Sequence, residues 1–326
     1  MDPGSPRTPP PDAFRSLLGA EVHWADFGGP AEPEALCVLV HGLGGSTVNW
    51  ESVAPHLIER FRCVALDLVG FGLTRPGNRR GTVEDNTAVL EAFVRDVAAE
   101  HPGREVLLVG NSMGGLICAQ YASAALAREA EGGAARDPKL AGVVLLDPTV
   151  PPAHLIPGPG GALAVGLYAI PAVGRAAARA RRSLRTPEQN VSDTLRLCTV
   201  DPRRVDPDVV ARHLPVAQRR VSHPEMDRFY SDAAGSILRR LAHRRGTDAT
   251  YASLTVPVLL VHGTRDRLVP FSGAVRMARL NPAWRFVPAA DSGHLPMLEH
   301  PRWLAGHLHR WWTWGAGGGA PAPVVD

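Results

Sequence analysis

The stretch from Arg104 to Tyr121 constrains this chain more than any other: an apolar run, a sharp Gly-rich turn carrying a serine, then a helix. Glu105-Val106-Leu107-Leu108-Val109 has the β-branched and leucine content of a strand buried on both faces. Gly110-Asn111-Ser112-Met113-Gly114-Gly115 follows at once, and Met113, Leu116, Ile117 and Tyr121 then recur at helical spacing. A serine on so tight a strand-to-helix turn sits in strained backbone, its hydroxyl presented above the sheet edge. Gly110 and Gly114 must be small there, because side chains would strike the neighbouring strand and helix. The amide of Met113 points at the same space. Taken alone, Gly-x-Ser-x-Gly also fits an ordinary Gly-rich βα turn, so the rest of the chain has to decide.

Further along, buried strands alternate with helices. Phe14 to Phe27 reads as two short strands around Gly19-Ala20. Ala35 to Val40 is a buried strand ending in His41-Gly42-Leu43-Gly44-Gly45, followed by one helix carrying Trp50, Val53, His56 and Leu57. Phe61 to Leu66 is a strand ending at Asp67-Leu68-Val69-Gly70-Phe71-Gly72. Thr82, with Asp85 three on, caps a helix whose apolar face is Leu90, Phe93, Val94 and Val97. Leu140 to Leu146 is a strand ending at Asp147-Pro148, and Val256 to Val261 is one ending in His262-Gly263-Thr264-Arg265-Asp266. Trp284 to Val287 is the last strand; Ser292-Gly293-His294 follows, then a helix with Leu298, Trp303, Leu304 and Leu308. Such alternation predicts an α/β fold, a mostly parallel sheet with helices on both faces. Ligands bind outside the carboxyl ends of such strands, and His41, Ser112, Asp147, Asp266 and His294 all fall there.

The alternation breaks between Pro151 and Thr250, where Pro- and Gly-rich turns, an uncharged stretch from Ala162 to Val173 and Arg-rich helical segments replace it. An all-helical insertion folding over the sheet edge as a lid is expected there. The domain plan is therefore a disordered tail over 1–12, core over 13–150, lid over 151–250, core over 251–314 and a Gly- and Pro-rich tail over 315–326. The whole chain carries only +3, too little to suggest nucleic acid. The lid holds 16 Arg against 9 Asp and Glu, or +7. Arg175 to Arg185 reads first as a solvated basic face and second as a weak contact with anionic membrane headgroups. Cys37, Cys63, Cys118 and Cys198 lack paired spacing; three lie in apolar segments, so buried small hydrophobes are expected and no metal site. Met1 to Pro11 has no apolar core of a signal peptide, and Gly160 to Val173 is too short for a membrane span. The expectation is a soluble cytoplasmic enzyme.

A hydroxyl becomes a nucleophile when a base takes its proton during attack. Imidazole suits this, and a carboxylate on its far nitrogen fixes the tautomer and stabilises the imidazolium. Ser112, Asp266 and His294 lie in the chain order expected of successive strand ends, with Asp147 the rival for the acid. The developing oxyanion needs preorganised donors: Met113 supplies one amide and Leu43 is placed to supply the other. His41 and Gly42 support that loop, and Asp67 with Gly70-Phe71-Gly72 shapes a loop beside the pocket. No cofactor is called for.

His41-Gly42, Asp67 with Gly70-Phe71-Gly72, Gly110 to Gly115, Asp266 and Gly293-His294 together resemble α/β-hydrolase-fold proteins with a helical cap. The resemblance covers Phe14 to Trp314 less the lid. It is specific for fold and triad and much less so for substrate. Ser112 stands where the resembling haloalkane dehalogenases and epoxide hydrolases have Asp, which argues against both. His-Gly-Leu-Gly replaces the His-Gly-Gly-Gly of hormone-sensitive-lipase-like esterases, and in resembling families that form often goes with medium or long acyl chains. The Gly110–Gly115 turn is also similar to that of carbon–carbon bond hydrolases acting on ring-cleavage products, but Leu295 stands where those usually carry Trp. The resemblance thus implies a serine hydrolase of small-molecule carboxylic esters. Carbon–carbon hydrolysis, cofactor-free perhydrolysis and ligand binding without catalysis are the alternatives.

Overall fold

The computed structural model describes residues 10–132, 138–153, 171–223 and 226–315. Its strands are β1 (Ala13–Leu17), β2 (Ala20–Gly28), β3 (Ala35–Val40), β4 (Phe61–Leu66), β5 (Val106–Asn111), β6 (Leu140–Leu146), β7 (Val258–Gly263) and β8 (Arg285–Ala289). They form one sheet in the order β1-β2-β4-β3-β5-β6-β7-β8, antiparallel across β1–β2 and β2–β4 and parallel elsewhere. Every residue of β3, β5 and β7 is buried, as a sheet covered on both faces requires. The two-residue period of a strand then sorts side chains into two cores. Leu36, Val38, Val40 and Leu108 join one, packed with Phe93 and Leu116. Cys37, Leu39, Leu107 and Val109 join the other, packed with Leu304, Leu308 and Trp311. Each fully buried Leu, Val or Phe of this kind stabilises by about 1.5–3 kcal/mol.

The helices supplying those partners are α2 (Val83–Glu100) and α3 (Met113–Ala130) on the first face and α11 (Pro301–Gly315) on the second. Thr82 caps α2 as its spacing predicts, its side chain accepting from the Asp85 amide at 3.2 Å. Two expected helices are each divided. The segment with Trp50 and Leu57 is a 3-10 turn, Thr47–Trp50, then α1 (Ala54–Leu57), which restarts with Pro55 in its first turn. The final segment is α10 (Pro296–Glu299) and α11, broken where Pro301 offers no amide hydrogen to continue the ladder. Strands β7 and β8, joined by α9 (Phe271–Leu280), run past their expected ends, to Gly263 and Ala289, because their pairing extends to His262↔Pro288 and Gly263↔Ala289.

Between β6 and β7 the described chain is helical: α4 (Pro171–Leu184), α5 (Pro187–Cys198), α6 (Pro207–Ser222), α7 (Asp227–Ala242) and α8 (Arg244–Ala252). No strand occurs among the described residues of this insertion. Of the uncharged stretch Ala162 to Val173, residues 162–170 lie outside the described set, as do the side chains of Arg175, Arg181 and Arg182. Arg179 is exposed, and Arg185 pairs with Asp193 at 3.6 Å. The tails over 1–9 and 316–326 are outside it too, whereas Asp12 is described and meets His23 Nε2 at 3.0 Å. All four cysteines are buried and free. Among the described residues, no helix is long and apolar enough to cross a membrane.

Candidate active site

Ser112 links β5 to α3 with φ 55° and ψ −118°, a conformation L-residues rarely adopt. The turn is held from outside: the Ser112 amide donates to Leu146 O at 2.9 Å, and Ser112 O accepts from the Thr149 amide at 3.0 Å. The glycines beside it are sterically required. A Cβ on Gly114 would lie 2.1 Å from Val40 O of β3, and one on Gly110 2.5 Å from Gly114 O of α3. Met113 opens α3, so its amide is among those with no acceptor inside the helix and lies at the positive end of the helix dipole.

The loop after β3 passes directly against this turn, since a Cβ on Gly42 would lie 2.9 Å from Ser112 Cβ. Gly42 to Gly45 is a tight turn closed by the Gly45 amide on Gly42 O at 3.1 Å, with Leu43 and Gly44 (φ 79°) at its centre. His41 is fully buried beneath it. Its Nε2 accepts from the Leu68 amide at 3.0 Å, so Nδ1 carries the hydrogen and donates to Gly42 O at 2.7 Å. Burial pushes this imidazole below its ordinary pKa, and it stays neutral as a strut. Asp67 ties the second loop: it accepts from the Thr47 and Leu73 amides and from His23 Nδ1, each at 2.7 Å. Gly72 (φ 53°) is needed because a Cβ there would sit 1.9 Å from Asp67 Oδ2. Asp67 and its glycines therefore shape the loop, as the sequence suggests.

His294 lies on the loop between β8 and α10, with Asp266 on the loop after β7. His294 Nδ1 donates to Asp266 Oδ2 at 2.7 Å. The other carboxylate oxygen, Oδ1, accepts from the Leu268 and Val269 amides at 2.7 and 3.1 Å. Burial works against ionisation of this carboxyl, but the charge and hydrogen bond of His294 outweigh it and hold its pKa below the ordinary value. The loop of His294 is tied to the serine turn: Asn111 Nδ2 donates to His294 O at 3.1 Å and to Leu146 O at 3.2 Å.

Asp147, the rival acid, behaves oppositely. It is wholly buried at the end of β6 with φ 45°, and its Oδ1 accepts from the Gly263 amide at 2.8 Å. Its Oδ2 has no hydrogen-bond partner. Burial, then the Asp266 charge, pushes its pKa well above the ordinary carboxylate value, whereas that of Asp266 is held below it. His262, unremarked in the sequence, completes the cluster: its Nε2 donates to Val269 O at 2.9 Å and lies 3.5 Å from Asp266 Oδ2. Ligand-type atoms of Asp147, His262 and Asp266 fall within 4.8 Å of one another. Asp266 and His262 are already committed to His294 and to backbone groups, so this cluster does not present the free, convergent lone pairs of a metal site.

Three further contributors escaped sequence reasoning. Arg220 of α6 donates from Nη2 to Gly44 O at 3.0 Å, joining the insertion to the Gly42–Gly45 turn. His23 faces Asp67 and Asp12 from its two ring nitrogens; despite burial, those contacts raise its pKa. Glu299 of α10 is buried and accepts from the Gly293 amide at 2.7 Å. Arg220 and His23 act across 176 and 44 residues, which no local pattern encodes, whereas Glu299 meets Gly293 six residues away.

Known proteins agree with this architecture. An uncharacterized protein of Mycobacterium tuberculosis is 24% identical over 306 residues, covering 90% of this chain and 78% of that protein. A thermophilic esterase from Thermogutta terrifontis superposes with a TM-score of 0.66 at 22% identity, over 93% of this chain and 98% of that one. A meta-cleavage product hydrolase from Pseudomonas fluorescens does so with a TM-score of 0.65 at 18% identity, over 92% and 97%. At such identities the two structures establish the shared fold. The family model for the alpha/beta hydrolase family matches residues 37–307, a span holding the serine turn, Asp266 and His294: the chain belongs to the alpha/beta hydrolase family.

Proposed function

We propose that the protein is a serine hydrolase of carboxylic esters, acting through Ser112, His294 and Asp266. The observation that carries the reading is the 2.7 Å bond from His294 Nδ1 to an Asp266 carboxylate held ionised, on a loop tied by Asn111 to the strained serine turn. With Nδ1 bound, Nε2 is the nitrogen left to take the Ser112 proton as the hydroxyl attacks the ester carbonyl. The Leu43 and Met113 amides receive the oxyanion; measured losses of one such donor cost about 2.7–4 kcal/mol of barrier. The imidazolium then returns its proton to the departing alkoxide, leaving an acyl-serine. Water, deprotonated by the same nitrogen, releases the acid. Asp266 stays ionised throughout. The helical insertion serves as the lid, and medium or long acyl chains are the favoured substrates. A fluorophosphonate probe followed by peptide mapping tests the reading. Labelling at Ser112 supports it; folded protein that takes no label is a ligand-binding member of the family.

Carbon–carbon hydrolysis of ring-cleavage products is the second reading, favoured by the Asn111-Ser112-Met113 turn and by the likeness to a meta-cleavage product hydrolase. The same serine and histidine would serve it. Turnover of a vinylogous dienoate in preference to nitrophenyl esters would make it the first.

A further inference from the structure

Besides Asp266, the loop of His294 is held by a second carboxylate. Glu299 is 4% exposed, and both of its oxygens are engaged. Oε2 accepts from the Gly293 amide at 2.7 Å and from Ser292 Oγ at 3.4 Å. Oε1 accepts from the Val200 amide at 2.7 Å and the Asp201 amide at 3.3 Å. The first pair belongs to the histidine loop and the second to the helical insertion. The same two segments also bond directly, His294 N donating to Cys198 O at 2.6 Å. They pack so closely that a Cβ on Gly293 would lie 2.5 Å from Cys198 O. Arg204 reinforces the seam on Asp291 O at 2.8 Å, and Arg267, beside Asp266, donates to Arg196 O at 2.9 Å. Residues 196–204 are thus fastened to both loops that carry the imidazole and its acid.

We propose that Glu299 is a positioning residue that clamps insertion residues Val200 and Asp201 to Gly293, so that this part of the insertion sets the placement of His294. Two consequences follow from the chemistry of the clamp. Only an acceptor-only group can satisfy donors from both sides, because each carboxylate oxygen faces N–H groups. A glutamine would turn its NH2 against the amide hydrogens of one side, and with the clamp broken there the two segments part and the amides of both sides open together. Any opening of the insertion must also hinge outside 198–201, since moving those residues would draw His294 away from Asp266.

The inference rests on His294 being the base of the reaction proposed above, and its test separates the two. In Glu299→Gln, hydrogen exchange at the Val200 and Gly293 amides should accelerate together, by about tenfold to a hundredfold for a charged hydrogen bond lost. The kcat for ester hydrolysis should fall by about tenfold to a hundredfold, with KM within about threefold, as for a catalytic group displaced by an ångström or less. Exchange that accelerates on one side only, or an unchanged kcat, overturns the clamp. Should the variant not fold, the unmodified protein still decides: the Val200, Gly293 and His294 amides are expected to share one protection factor once each intrinsic exchange rate is divided out, and three separate protection factors overturn the proposal. Failure of fluorophosphonate to label Ser112 in the unmodified protein would instead remove the esterase reading and leave the exchange result standing.

Discussion

Two carboxyl groups at adjacent strand ends are pushed in opposite pKa directions, one collecting several donors and the other a single amide. Asp266 collects two amides and an imidazole, whereas Asp147 has one amide and an unpartnered oxygen. The role follows: Asp266→Asn should reduce kcat by about ten-thousandfold, as loss of a tautomer-fixing acid does. Asp147→Asn should stay within about threefold of the parent; steady-state kinetics of both decide, and the reverse ranking would make Asp147 the acid. A second consequence concerns stability. A carboxyl whose folded pKa is raised keeps its proton while the unfolded chain loses one, so its contribution is full below its unfolded value of 3.8 and is lost as pH rises towards the folded pKa. Asp147→Asn removes that loss. Its Tm relative to the parent should therefore climb with pH from about 4 upward; a difference independent of pH above 5 or so would mean Asp147 is ionised in the fold. The serine turn was legible at this scale because its requirements are local: Gly110 and Gly114 announce contacts with Gly114 O and Val40 O. Chain order favoured Asp266 over Asp147, but the loop that His294 reaches is a contact between residues 28 apart that the sequence does not display.

At the scale of elements, caps and breakers were readable and continuity was not. Thr82 with Asp85 marked the start of α2, and Thr82→Ala should cost about 1 kcal/mol by denaturant unfolding; a change below a few tenths would deny the cap. Helical spacing ran through Pro301 and through the segment before Pro55, where the structure divides each helix in two. Periodicity reports which face is apolar and says little about where a ladder is interrupted. Helix α6 reaches the Gly42–Gly45 turn through Arg220 and Gly44 O, a contact between residues 176 apart that composition alone could not suggest. Arg220→Met should lower kcat/KM for esters by about tenfold while Arg220→Lys restores part of it. Equal activity in all three would free the turn from the insertion.

Over the whole molecule, the sheet brings the candidate site residues to one edge. Strands β3, β5, β6 and β7, with β8 beside them, end at His41, Ser112, Asp147, Asp266 and His294 respectively or just beyond, so a parallel sheet converts sequence separation into proximity. The helical insertion joins this edge from above through Arg220, Glu299 and the Cys198–His294 bond. Family membership fixes the fold. The most direct measurement is hydrolysis of nitrophenyl esters from short to long acyl chains by the parent protein and by Ser112→Ala. The account predicts turnover that rises towards medium or long chains and falls to background in Ser112→Ala. Turnover that survives loss of the Ser112 hydroxyl, or none at any chain length in folded protein, would contradict it.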